Sequence, residues 1–266
     1  MKPYIGITGL MTPQESRVLL RRFDMIFLDG SRQLQVGVLA SSKTLSLQGN
    51  KYPNRYPRVA EIRGIFQEHH CAFNVLHYST DEPETLRYQL MMLANEIAGP
   101  FLHGLQLNIA WPEQRQLRDF HAATKNKYRI ILQLGKRAIN DMRRNASAIA
   151  TNVASYQGVV SAVLIDESGG TGHFVEDMRF AHDLIMALKK HATEIDIGYA
   201  GGLRSGTLHL ARSLLADYPE LNLDAESGVR DLESDDLDLF EAVDYIKACR
   251  REILLAEHIC RHREMV

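Results

Sequence analysis

The stretches DESGGTG at residues 166–172, AGGLRSG at 200–206 and AESGVRD at 225–231 decide how this sequence is read. Each closes a short apolar, β-prone run (159–166, 195–199 and 221–225) and leads toward a helical pattern. A strand, a glycine-bearing turn and a helix make a βα unit, so three in succession imply parallel strands joined by crossover helices. Glycine lets backbone N–H groups approach an anion closely, and a following helix N-terminus adds a partial positive charge. One such glycine is ordinarily just a turn. Three on consecutive units make Gly169, Gly170, Gly172, Gly201, Gly202, Ser227 and Gly228 a candidate phosphate-binding set.

Working outward, five further β-prone runs lie at 3–9, 33–40, 71–78, 104–110 and 129–134, which brings the count to eight. Helical patterns separate them at about 12–28, 58–68, 83–98, 112–125, 136–155, 174–191 and 205–217, and a last one covers 235–263. Thr12, Pro13 and Glu15 form the start signal of the first helix. Eight βα units without a linker fit one closed (β/α)8 TIM barrel over 1–266, a size usual for that architecture. An open doubly wound sheet shows the same alternation and is the rival. The run MIFLDG at 25–30, read as a strand, would displace the count. The polar stretch SSKTLSLQGNKYPNRYP at 41–57 is long for a barrel loop, a length that usually marks function or mobility.

Lys plus Arg number 31 against 33 Asp plus Glu, so no overall positive field favours nucleic acid or an anionic membrane. The opening MKPYIGITGL has no apolar run long enough for a signal peptide or a membrane span. Cys71, Cys249 and Cys260 are too few and too irregularly spaced for a disulfide framework or a paired zinc site. These features lead us to expect a cytoplasmic protein with reduced thiols and no cofactor. Its partner would be a small phosphorylated molecule, with a homodimer left open. No dinucleotide fingerprint, P-loop or nucleophile elbow occurs in the chain.

The segments LIDESGGTGHFVED (164–177), IGYAGGLRSGTL (197–208) and LNLDAESGVRD (221–231) together resemble the last three βα units of phosphoribosylanthranilate isomerase. In that family the same order reads as an Asp-bearing strand followed by GGTG, an AGGL strand end, and DxSSGVE. The opening YIGITG also resembles the family's first strand, KICGIT, and LQLNI at 105–109 faintly resembles its QLHG segment. The resemblance implies an Amadori-type aldose-to-ketose isomerisation of a phosphoribosylated amine, with an aspartic acid on strand six and a cysteine base on strand one. Asp166 falls on the acid position, whereas the cysteine position aligns with Ile5, which can take no proton. Arg230 stands where the family ends its last motif in Glu, and Glu226 replaces a serine. The general base must then differ.

Candidates for that role lie at other strand ends, because barrel chemistry sits on the loops at the C-terminal face. Glu226, beside Ser227 and Gly228, would be repelled by a bound phosphate unless it is used; otherwise it is a solvated loop residue. Lys43 opens the long loop and offers a cation, although most surface lysines simply solvate. His77 ends strand three as an acid, a base or a half-buried structural histidine. Gln106 and Asn108 share one face of strand four, and Gln133 with Lys136 follows the same pattern on strand five. Trp111 either stacks on a ligand ring or leads into a helix, and His173 follows GGTG where it can meet an anion. His258 and His262, four apart on the last helix, read as a solvated basic end, and His69-His70 as a helix terminus.

Two other functions stay open beside an isomerase with an altered base. A lyase or aldolase on a phosphorylated substrate would need a Schiff-base lysine at a strand end. A barrel that binds a phosphorylated metabolite without transforming it would need no base at all.

Overall fold

The computed structural model describes residues 2–168 and 178–263. Its eight strands are β1 (Tyr4–Thr8), β2 (Gln33–Ser41), β3 (Ala72–Ser79), β4 (Gly104–Leu107), β5 (Arg129–Leu134), β6 (Ala162–Asp166), β7 (Asp196–Ala200) and β8 (Asn222–Ala225). Each pairs in parallel with the next, and β8 returns to β1 through Ile5 with Leu223, Gly6 with Asp224 and Ile7 with Ala225. The sheet is a closed barrel, which excludes the open doubly wound alternative.

Outside the strands lie α1 (Pro13–Ile26), α2 (Ser42–Leu45), α3 (Val59–Ile65), α4 (Leu86–Met92) and α5 (Gln114–Thr124). Beyond β5 follow α6 (Lys136–Asp141), α7 (Ala146–Ala154), α8 (Arg179–His191), α9 (Arg212–Asp217) and α10 (Leu239–Arg263). Thr12 caps α1 in a capping box with Glu15. MIFLDG belongs to the end of α1 and its exit turn, where Phe27 stacks on Phe23 one helical turn back, so it adds no strand. The helix expected over 136–155 is instead two. Arg143 and Arg144 adopt left-handed backbone at φ 51° and 53°, and the Asn145 side chain then caps α7 by accepting from the Ala148 N–H at 3.0 Å. The long loop after β2 is partly ordered into α2 and a 3-10 turn at Pro53–Arg55.

The strands bury both faces. One row, with Ile5, Ile7, Leu34, Val36, Leu105 and Leu132, packs against the helices. The other row lines the axis, and its lower part is an apolar layer of Tyr4, Phe73, Val75, Ile131, Ala162 and Leu164. Two residues further along the same strands the axis turns polar: Val75 gives way to His77, Ile131 to Gln133 and Leu164 to Asp166. The barrel is therefore sealed below and hydrogen-bonding above.

At the upper rim the loops after β7 and β8 pack so closely that a Cβ at Gly228 would overlap the Leu203 carbonyl oxygen. Gly228→Ala should cost roughly 1–3 kcal/mol, the usual range for a forced overlap. Gly206→Ala, where a Cβ meets nothing within 4 Å, should be close to neutral. Chemical denaturation of the two variants checks the contrast, and equal losses would contradict it.

Candidate functional site

A polar layer at the axis is costly unless its groups are paired, and here each member leans on a neighbouring strand. Thr8 on β1 donates its hydroxyl to Asp224 on β8 at 2.9 Å and lies 3.3 Å from His77 Nε2. Gln35 on β2 reaches the same ring nitrogen at 3.1 Å. Gln106 on β4 donates to Gln133 on β5 at 3.3 Å, and Gln133 donates to Asp166 on β6 at 2.9 Å. Asp166 also accepts from the Ser168 backbone N–H at 3.1 Å and from its hydroxyl at 2.7 Å. This layer draws on seven of the eight strands, with two acceptor oxygens, Gln35 Oε1 and Gln106 Oε1, buried without a partner.

Room for Asp224 comes from β1. A Cβ on Gly6 would run into the Asp224 carboxylate, so the absent side chain is what admits a charged group at the axis. Burial pushes the Asp224 carboxyl up to about 7; the Thr8 hydroxyl opposes that shift, while the charges of Glu226 and Asp166 add to it. Burial also holds the His77 imidazole down at about 3, which keeps it neutral at physiological pH. His77 is therefore a hydrogen-bonding member of the layer, and the proton that titrates near neutrality belongs to Asp224.

Glu226 stands above Asp224 and is about one-third exposed. Burial raises its pKa, opposed by Arg55, whose guanidinium donates to Glu226 at 2.8 Å and to Ser227 Oγ at 3.0 Å. Arg55 comes from the long loop after β2, stacks on Tyr52 at 4.6 Å and also grips Asp235 with two nitrogens. Arg230 threads the same region, donating to the Asn54, Asp235 and Gly9 carbonyls. The Arg at the end of the last motif is thus a loop tie. Arg55 and Asp224 went unmarked in the sequence reading. Asp224 stands at the Asp that opens the DxSSGVE-like segment, and Arg55 is a cation in a loop of unusual length.

Two connected cavities open onto this layer. The smaller, about 40 Å³, is lined by Asp166, Asp224 and Glu226 together with Gly201, Gly202, Ser227 and Gly228. Gly201 and Gly202 have φ of 110° and 74°, backbone that favours glycine. The larger, about 300 Å³, shares His77, Gln133, Asp166 and Glu226 with it and extends past Asn108, Arg55 and Tyr56 to Lys136 and Arg137. Six of the anticipated residues, Asp166, Glu226, Gly201, Gly202, Ser227 and Gly228, thus meet at one cavity, and Asn108 borders the next. Lys43 is exposed and borders a separate depression with Ser41, Asn50 and Asp81, away from the carboxylates. Gly169, Gly170, Gly172 and His173 lie outside the described residues. Just before them, Glu167 is buried against Arg144, which the break between α6 and α7 delivers to it at 2.8 Å.

Ile5 needs correction. Its side chain is fully buried in the helix-facing core, whereas Gly6 and Thr8 are the β1 positions that face the axis. The Ile5 side chain does not occupy a base position at the mouth, so its aliphatic character says nothing about the chemistry there. Trp111 donates to the Ala138 carbonyl at 3.2 Å and packs near Tyr156, a structural placement between β4 and α6.

No family model matches the chain, and no curated protein sequence matches it. Solved structures do. Orotidine 5′-monophosphate decarboxylase from Methanocaldococcus jannaschii is 11% identical with a TM-score of 0.50, over 93% of this chain and 98% of that one. Active domain 2 of a chitinase from Pyrococcus furiosus is 12% identical with a TM-score of 0.55, over 95% and 96%. These likenesses define the class, a (β/α)8 barrel, and at such identities they speak for the fold alone. Among the described residues, no helix is long and apolar enough to cross a membrane.

The Asp224 carboxyl binds a proton more tightly folded than unfolded, so its contribution falls as pH rises from about 4 and levels off above about 7. Asp224→Asn should therefore be more stable than the wild type at pH 8, by roughly 1–3 kcal/mol. The gain should shrink toward pH 4–5. Urea denaturation across this range checks it; a gain that does not depend on pH would exclude Asp224 as the titrating group.

Proposed function

We propose that this barrel is an enzyme acting on a phosphorylated sugar derivative by Amadori-type aldose-to-ketose isomerisation. Its phosphate is held at Gly201, Gly202, Ser227 and Gly228. The observation that carries the reading is the single small cavity on which these glycine loops and three carboxylates converge. Such a reaction needs a proton delivered to the sugar ring oxygen, which opens the ring at the anomeric carbon, and another removed from C2 beside that carbon, so it needs two titratable groups within reach of one ligand. Asp166 takes the donor role and Glu226 the acceptor role. Asp224 beneath them keeps a proton in the cluster near pH 7, chiefly because it is buried and further because the charges of Glu226 and Asp166 lie close. Gln133 orients Asp166 and Arg55 orients Glu226. The larger cavity beyond accommodates the rest of the substrate, with Asn108 at its wall.

A lyase using a Schiff base finds less support. No lysine lies on any of the eight strands, and Lys136 reaches the larger cavity only from the first residue of α6.

Titration with phosphoribosyl amines and inorganic phosphate, followed by an isomerisation assay, tests the proposal. Phosphate should compete with the sugar compound, and removing the ligand's phosphate should weaken binding at least tenfold. Asp166→Asn should lower turnover about 10²- to 10⁴-fold, the usual worth of a general acid, while leaving the ligand Kd within a few-fold. Binding without turnover in the wild type would reassign the mouth to metabolite binding. Wild-type turnover by Asp166→Asn would remove the acid assignment.

A further inference from the structure

At the opposite end of the barrel from the mouth, the chain enters β3 through His69, His70 and Cys71, and these three side chains converge. One ligand atom from each lies within 4.8 Å of the others. His69 Nδ1 is 3.2 Å from Cys71 Sγ, and the two imidazole rings stack with centroids 4.5 Å apart. The backbone N–H of Cys71 donates to the same His69 Nδ1 at 3.4 Å, which makes that nitrogen the unprotonated one of the ring, and a metal would take its lone pair in place of this long contact. A lone pair is what a metal requires of an imidazole. From α1, Asp24 Oδ1 stands 2.9 Å from His70 Nε2, where it is either a fourth oxygen donor or the carboxylate that orients the ring.

We infer that His69, His70 and Cys71, assisted by Asp24, form a binding site for a borderline-soft divalent cation of the zinc type. Two imidazoles and one thiolate are the donors such an ion selects, and hard cations such as magnesium or calcium do not take this set. Zinc bonds of about 2.3 Å to sulfur and 2.0–2.1 Å to nitrogen place tetrahedral N and S ligands about 3.5 Å apart. The 3.2 Å separation already lies near that value. The ion would tie α1 to the foot of β3, far from the carboxylates, and its role is structural. The site does not depend on the proposed isomerisation.

The full-length protein, stripped with chelator and titrated with Zn²⁺ against a chromophoric competitor, should take up one equivalent per chain. Cobalt in place of zinc should give a thiolate charge-transfer band. His70→Ala alters an exposed side chain and should leave the circular dichroism unchanged while weakening zinc at least tenfold. Asp24→Asn should weaken it about 10- to 100-fold, as loss of such partners does elsewhere. Cys71→Ser should abolish the cobalt band. The double variant His258→Ala/His262→Ala, which removes the other close histidine pair, should keep the full equivalent. No uptake at micromolar zinc, a cobalt spectrum without the thiolate band, or binding that survives His70→Ala but not the double variant would overturn the assignment.

Discussion

A carboxyl group buried at the axis of the barrel is the constraint on which the upper half of this molecule depends. Asp224 can sit there because Gly6, on the neighbouring strand, has no side chain to exclude it. Once there it needs a donor, which Thr8 supplies, and it needs company that does not add unpaired charge. The amides of Gln35, Gln106 and Gln133 and the neutral ring of His77 fill the remaining positions without doing so. The two flanking carboxylates are each anchored by a separate partner, Asp166 by Gln133 and Ser168, and Glu226 by Arg55. A half-satisfied polar network inside a protein is costly. The density of cross-strand hydrogen bonds at this level is the response to that cost, and it fixes the positions of the groups that line the cavity.

Much of this was legible in the sequence, for a physical reason. The axis-facing rows alternate with helix-facing ones, so a strand that reads apolar at Leu164 and charged two residues later at Asp166 already places that charge above an apolar floor. The glycine loops after β7 and β8 could be found because a tight turn at a strand end requires a residue type that sequence displays directly. The strand count survived the MIFLDG ambiguity because α1 carries a strong cap and a coherent buried face, which outweighs a short β-prone run.

What stayed hidden depended on distance in the chain. Arg55 reaches Glu226 across 171 positions, and nothing local in YPNRYP marks it. The break at Arg143 and Arg144 was missed because neither residue favours left-handed backbone; Asn145 and the buried Glu167 make that turn worthwhile only in the folded chain. Ile5 was read by aligning letters, and the direction of a strand side chain follows its register against β2 and β8. An offset of one residue exchanges the axis for the helix layer.

The two guanidinium groups at the rim have a mechanical consequence. Arg230 holds the turn after β1, the loop after β2 and the segment beyond β8, while Arg55 bridges the last two a second time. These ties span the seam where the first and last strands of the chain meet. The front wall of the mouth is thereby built as one body with a common stiffness, instead of three independent flaps. Any opening on that side has to be a concerted displacement of all three segments, and easier access to the axis lies on the side of the larger cavity, toward Asn108 and Lys136.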